Sequence, residues 1–132
     1  RGDRGAFERL SALLVELLQT GETPIAVGRR AGLALADEHG GAGGTVALLD
    51  AVARRLGFEP HLEHDGDGVD VVLDRCPFVS PAGAAPEIVC VLHEGIAQGI
   101  AEAAGDDAAV TGLLVRPPAR AGCRIHVAVE AV

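Results

Sequence analysis

Apolar side chains recur at helical spacing in the first stretch of the chain. Between about residues 4 and 19 the apolar positions lie three or four residues apart, at Phe7, Leu10, Leu13, Leu14, Leu17 and Leu18. This period predicts an amphipathic helix, and the pair Thr20-Gly21 is expected to end it.

Two more helices are predicted before residue 58. Thr23 is suited to the N-cap of a second helix, with Pro24 at its first position and an end near Gly40. Thr45 is predicted to cap a third helix, and Gly57 to follow its last turn. The inner stripe of this third helix is Val46, Leu49, Ala53 and Leu56.

From residue 58 onward the apolar positions alternate, which is typical of strands. Residues from about 58 to 64 and from 69 to 74 predict two strands around an Asp-Gly-Asp-Gly turn. Residues 110 to 116 and 123 to 130 predict a second hairpin. We expect each hairpin to contribute to one antiparallel sheet.

A long helix is predicted between the two hairpins. Pro77, Pro81 and Pro86 predict an irregular segment, after which a helix runs from Pro86 to about Ala104 and ends at Gly105. Because this helix is apolar nearly all round, we expect it to be buried. Small residues that would let a neighbouring element approach occur here and in the second helix, at Gly28, Gly32, Gly95, Gly99 and Ala103.

The order of the elements predicts an α+β fold, with N-terminal helices followed by an antiparallel sheet of two hairpins packed on a buried helix. The chain has 132 residues, which suits one domain. Its helical part is expected to span residues 1–57, and its β-hairpin–helix–β-hairpin part residues 58–132. Since the sequence begins without Met, we expect it to be the C-terminal part of a longer protein.

Charge and composition exclude several classes of partner. With 19 acidic and 11 basic residues, the net charge is −8, which argues against direct binding to DNA, RNA or an anionic membrane. The sequence has no apolar run of the ~18 residues needed to span a bilayer and no signal peptide. The odd number of cysteines then favours a reducing cytoplasm.

The candidate chemistry lies in the three cysteines and one histidine. Cys76 follows a predicted strand, Cys90 lies near the start of the buried helix, and Cys123 opens the last strand. His93 is one helical turn from Cys90, so both lie on one helix face. Three thiols and an imidazole are the four ligands of a tetrahedral metal site. His126 points away from Cys123 on its strand and is left out.

Two other interpretations of the same residues stay open. Free cysteines are often only small buried apolar side chains. Alternatively, Cys90 and His93 could form a nucleophilic pair, although no third residue is suitably placed to orient the imidazole.

Several pieces of the chain resemble one known family, the C-terminal effector domain of bacterial transcription regulators that begin with a winged helix of the ArsR/DeoR type. This group includes the iron–sulfur repressor of suf operons. The last hairpin also resembles the vinyl-reductase-type small-molecule sensor domain. The pieces that carry the resemblance are Cys76-Pro77-Phe78, residues 86–99 with Cys90 and His93, residues 122–127 with Cys123, and, in the middle region, residues 29–35 and 49–58.

The resemblance implies a metal-binding sensory and dimerisation domain without enzymatic activity. In the suf repressor, cysteines that resemble Cys76, Cys90 and Cys123 hold a [4Fe-4S] cluster. Because His93 offers a fourth protein ligand, zinc is the preferred metal here and the cluster is the alternative.

The expected partners follow from the same resemblance. We expect a homodimer, with the Leu-rich first helix as its seam. DNA would be bound by a winged helix N-terminal to this segment, which itself would not contact DNA or a membrane. One alternative is a module for a small apolar ligand with a purely structural zinc. The other is a thiol-based redox protein or enzyme that uses Cys90.

Overall fold

The fold is α+β over the part of the chain that the computed structural model describes, residues 2–40, 43–66, 68–116, 120 and 122–128. The helices are α1 (Gly2–Thr20), α2 (Pro24–Glu38), α3 (Gly44–Leu56), α4 (Val79–Ala84) and α5 (Pro86–Ala104). The strands are β1 (Pro60–Asp65), β2 (Gly68–Leu73), β3 (Ala109–Leu114) and β4 (Cys123–Ala128). The predicted fold class is therefore confirmed. Asp67 in the first predicted turn, and residues 129 and 130 of the last predicted strand, lie outside the described residues.

Both hairpins belong to one antiparallel sheet with the strand order β1-β2-β4-β3. The inner strands β2 and β4 pair from Gly68 opposite Ala128 to Leu73 opposite Cys123. Side chains alternate between the two faces of a strand. One face carries Val71 and Val127, which are fully buried in the same cluster as the apolar side chains of α5. The opposite face carries polar and charged side chains.

Glycines let α2 and α5 pack with their backbones in contact. A Cβ atom added at Gly28 or Gly32 would lie within 3.0 Å of the backbone oxygen of Leu92 or Ile96. A Cβ atom at Gly95 or Gly99 would likewise overlap with backbone oxygens of α2, at Ile25 and Arg29. This confirms that the small residues form a packing surface. It fixes the position of α5, which carries Cys90 and His93.

The segment after Cys76 differs from the sequence prediction. Residues 79–84 form the short helix α4, not an irregular segment. Pro81 is the third residue of that helix, where a missing N–H costs no helical hydrogen bond. The backbone N–H of Ala82 donates to the Phe78 carbonyl at 2.8 Å. The helix therefore holds Phe78, 2% exposed, beneath the start of α5.

The start of α3 also differs from the prediction, because Thr45 is not its cap. The helix begins at Gly44. Its N-cap residue is Gly43, which is in the left-handed region at φ 91° and has no side chain that could cap the helix. The carboxylate of Asp106, just beyond α5, caps α3 instead. It accepts hydrogen bonds from the Thr45 backbone N–H at 2.9 Å and from the Thr45 hydroxyl at 2.7 Å. By contrast, Thr23 does cap α2, since its hydroxyl accepts from the Ala26 N–H.

Candidate functional site

The four residues expected to bind metal border one small cavity. Cys76 follows β2, Cys90 and His93 lie one turn apart in the first half of α5, and Cys123 is the first residue of β4. The cavity has a volume of about 30 Å³. Apart from Arg75, its remaining lining is apolar and consists of Phe58, Leu73, Phe78, Ala82, Val89 and Leu113. The fold therefore gathers donors that are far apart in the sequence.

The donors share the cavity without forming a closed coordination shell. All three cysteines are free and half-buried. Among the described residues, no group of three or more His, Cys, Asp or Glu side chains is arranged to hold a metal ion. The thiols would have to change rotamer to reach the ~2.3 Å metal–sulfur distance of a zinc site. The donor types fit zinc, and coordination requires this side-chain movement.

The Cys123 thiol is hydrogen-bonded to the end of the neighbouring hairpin strand. The backbone N–H of Arg116, two residues beyond β3, donates to Cys123 Sγ with an N···S distance of 3.2 Å. The thiol in turn donates to the Arg116 carbonyl oxygen, 3.7 Å away. A metal ion on this sulfur would replace the S–H donation, because a ligating cysteine is deprotonated.

Burial keeps the other two thiols protonated at neutral pH. It raises the pKa of Cys90 to about 11, with smaller contributions from the neighbouring Cys123 and Cys76. Burial also raises the pKa of Cys76, against opposing effects from the Phe78 backbone N–H and Arg75. Cys90 is the fifth residue of α5, one residue past the four whose N–H groups lack a partner within the helix and can stabilise a thiolate. A thiolate nucleophile at Cys90 is therefore disfavoured.

Nε2 is the ring nitrogen of His93 that remains available to bind a metal ion. Its Nδ1 lies 2.6 Å from the Val89 carbonyl oxygen, which can only accept, so Nδ1 carries the proton. The ring stacks on Phe78 at 5.0 Å and meets Phe58 edge-on at 5.3 Å. Burial lowers the pKa of His93 to about 4, so the imidazole is neutral at pH 7 and its Nε2 has a free lone pair. Neutral imidazole with the other nitrogen bonded to a carbonyl is the usual state of a ligating histidine.

A second apolar cavity also borders His93. Its volume is about 40 Å³, and it is bordered by side chains of α3, α5 and the inner face of the sheet. Phe58, Leu73 and His93 line both cavities. The two cavities are therefore adjacent.

The outer face of the sheet carries a cluster of polar side chains that the sequence pattern alone does not predict. Asp70 accepts hydrogen bonds from Arg124 at 3.2 Å and bonds to His126 Nδ1 at 2.7 Å. Arg124 also donates to Glu63 at 2.7 Å, and His61 bonds to Glu63 at 2.9 Å. Strand alternation could have revealed this cluster once the pairing was known. It confirms that His126 points away from the thiol cavity.

A search with protein-family models, of curated proteins and of solved structures finds no match to this chain. In the part of the chain that the structure describes, every helix is too short or too polar to cross a bilayer.

Proposed function

We propose that this chain is the metal-responsive effector domain of a bacterial transcription regulator, and that it binds zinc through Cys76, Cys90, Cys123 and His93 Nε2. The proposal is carried by the single cavity that these four donors border, since they come from a loop, a helix and a strand. Three cysteines and one histidine are an established ligand set of closed zinc sites.

The size of the cavity supports an ion rather than an organic ligand. A volume of about 30 Å³ has room for one or a few water-sized groups. An apolar cavity that holds benzene measures roughly 150 Å³. A [4Fe-4S] cluster has eight core atoms, so it would need a larger rearrangement than a single ion. Zinc is accordingly the first choice and the cluster the second.

Binding would join the paired ends of β2 and β4 to α5, which packs on the apolar face of the sheet. Cys76 at the end of β2, Cys90 in α5 and Cys123 in β4 would be drawn toward one point, with His93 already held by Val89. Zinc itself would supply only the bonds that join these ligands. The sheet ends and α5 would then move as one unit, and that movement is the signal we propose.

The regulator role rests on the sequence resemblance and on charge. At −8, this segment is unsuited to contact DNA, so the resemblance assigns that contact to an N-terminal winged helix outside the sequence. A reducing cytoplasm, where free thiols persist, is the matching location. The homodimer and the role of the domain as a sensor belong to the same proposal.

The test is metal analysis of the protein purified with and without oxygen, combined with absorbance spectroscopy. The chain has no Trp and no Tyr, so any chromophore would stand out clearly. One zinc per chain is expected, and Co²⁺ substitution should give the visible absorption of tetrahedral thiolate cobalt. Iron and sulfide with a visible band would instead favour the cluster.

Matched variants separate the site from general packing. Cys76→Ser, Cys90→Ser, Cys123→Ser and His93→Ala should each lose zinc. His126→Ala removes an imidazole from the outer sheet face and should retain it. If no preparation contains metal and the serine variants are as stable as the parent, the thiols only pack and the proposal fails.

The runner-up function is a small-molecule module with a structural zinc. It is favoured by the second apolar cavity next to His93. A rise in melting temperature with apolar ligands, measured on zinc-loaded protein, would support it. At about 40 Å³ this cavity must enlarge to admit such a ligand, so we rank it second.

A further inference from the structure

In the part of the chain that the structure describes, strand β3 is an edge of the sheet that lacks the usual protective residues. It is the outermost strand beside β4, and its residues Ala109–Leu114 include no charged residue and no proline. The opposite edge strand, β1, begins with Pro60 and carries His61, Glu63 and His64. Natural proteins block free edges with such residues or cover them. The contrast indicates that the β3 edge is built to be paired.

The free backbone groups of β3 can be assigned from the strand pairing. The Arg116 N–H points toward β4, where it meets Cys123. Because backbone groups alternate along a strand, the N–H and C=O of Leu114 and Gly112 also point toward β4. Those of Leu113 point toward the free edge. An irregularity between Val110 and Gly112 shifts this alternation by one residue. The backbone N–H and C=O of Val110 therefore also point toward the free edge.

Opposite charges flank the uncharged strand. Asp107 precedes it by two residues and Arg116 follows it by two, and both are exposed. Neither side chain has an ion pair or hydrogen bond with another described residue. The neighbouring Asp106, in contrast, is engaged in capping α3.

We propose that β3 pairs antiparallel with β3 of a second copy of this chain, joining the two sheets into one. A two-fold axis through the middle of Ala109–Leu114 places Val110 opposite the partner's Leu113, so that two residues with free backbone groups meet. The same register places Asp107 opposite the partner's Arg116, and this ion pair occurs twice. A second copy is the occupant because the edge is complementary in charge to itself under this symmetry.

This interface differs from the seam expected on α1 and does not depend on the metal site. A single strand pair buries less than the ~1,200 Å² of stable complexes, so the dimer should be concentration-dependent. The net charge of −8 opposes association in general. The two reciprocal ion pairs would therefore select the register.

Sedimentation velocity of the 132-residue chain over a range of concentrations tests the proposal. Asp107→Arg and Arg116→Asp each place like charges opposite each other twice, and each should weaken the dimer by about tenfold. A mixture of the two variants restores opposite charges at both positions, so it should form mixed dimers with parental affinity. The double variant D107R/R116D should also recover.

Two controls keep the outcome decisive. Asp37→Arg changes the net charge by the same amount as Asp107→Arg at an exposed position of α2, outside the proposed strand pair, and it should leave the dimer intact. Leu18→Glu alters the most exposed apolar residue of α1, 86% exposed, and should also leave it intact. If Leu18→Glu dissociates the dimer while the β3 variants do not, or if the parent is monomeric throughout, the β3 interface is overturned. Mixing that fails to restore association would overturn it as well.

Discussion

The backbone N–H of Arg116 donates to the Sγ atom of Cys123 across 3.2 Å. This hydrogen bond joins the end of β3 to the thiol cavity, so one residue contacts both the candidate metal site and the proposed dimer edge. A thiolate accepts a stronger hydrogen bond than a thiol does. Metal binding at Cys123 would therefore strengthen this N–H···S hydrogen bond while removing the S–H donation to the Arg116 carbonyl.

Zinc binding should release protons. Burial raises the pKa of Cys90 to about 11 and also raises that of Cys76, so both thiols are protonated at pH 7 and must ionise to ligate. These two thiols alone release two protons, so affinity should rise at least about a hundredfold per pH unit near neutrality. Calorimetry in buffers of different ionisation enthalpy measures the number released. Cys90→Ser should lower it by one, and binding without proton release would contradict the assignment.

His93 should make the metal-free protein less stable as the pH falls. The histidine pKa of 6.5 in the unfolded chain drops to about 4 on folding, because the ring is buried. Between these values the unfolded chain binds the additional proton, so stability is lost as the pH falls from 6.5 toward 4. The loss should be about 2–3 kcal/mol.

Urea unfolding followed by circular dichroism at several pH values, with chelator present, measures this loss. His93→Phe keeps an aromatic ring between Phe58 and Phe78 but cannot titrate, so its stability should depend less on pH. Subtracting the two profiles of unfolding free energy against pH removes the contribution of the other titrating groups. Parallel profiles for parent and variant would refute the buried neutral imidazole.

The contact between α2 and α5 should be intolerant of a single methyl group. In Gly32→Ala, the new Cβ would overlap with the Ile96 carbonyl, so the helices must separate, at a cost of about 3 kcal/mol. Gly83→Ala is the matched control, because nothing lies within 4 Å of its Cβ position in α4. That change should be neutral or stabilise by roughly 0.5–1 kcal/mol. Equal unfolding free energies for the two variants would argue against this packing.

Asp106 should stabilise α3 by capping it, although the two are far apart in the sequence. Asp106→Ala removes the cap on Thr45 and should cost about 1–2 kcal/mol, whereas Asp107→Ala next to it should change stability by less than about 0.5 kcal/mol. The Thr45 N–H and hydroxyl lower the pKa of Asp106 below its usual 3.8. Its contribution is therefore present at neutral pH and lost as the pH falls below about 3.8. Chemical denaturation at pH 7 and pH 3 checks both statements.

Much of the fold was predictable because its signals are local. The helical period over α1 and the apolar surface of α5 identify those helices, and alternation identifies the four strands. The prolines after Cys76 predict an irregular segment and hide α4, because Pro81 lies in the first turn of that helix, where a proline does not interrupt it. The cap on α3 was wrong because the true partner, Asp106, is 61 residues from Thr45.

The identity of the candidate ligands came from the sequence, but their arrangement did not. The sequence places Cys76, Cys90 and Cys123 at strand ends and a helix start, and this predicted only that they lie on one side of the domain. Whether His93 presents Nε2 depends on its bond to the Val89 carbonyl. The protonation of Cys90 depends on the apolar side chains around it.

The sequence by itself determined the class of fold, the elements other than α4 and the donor types, because periodicity and residue chemistry are properties of the local chain. Only the tertiary structure decided the strand order, the glycine contact of α2 with α5, and the small cavity that the four donors share. The physical reason is that burial, pKa values and cavity size depend on which distant surfaces meet. Contacts between distant surfaces are set by long-range packing and strand pairing, which no local pattern encodes.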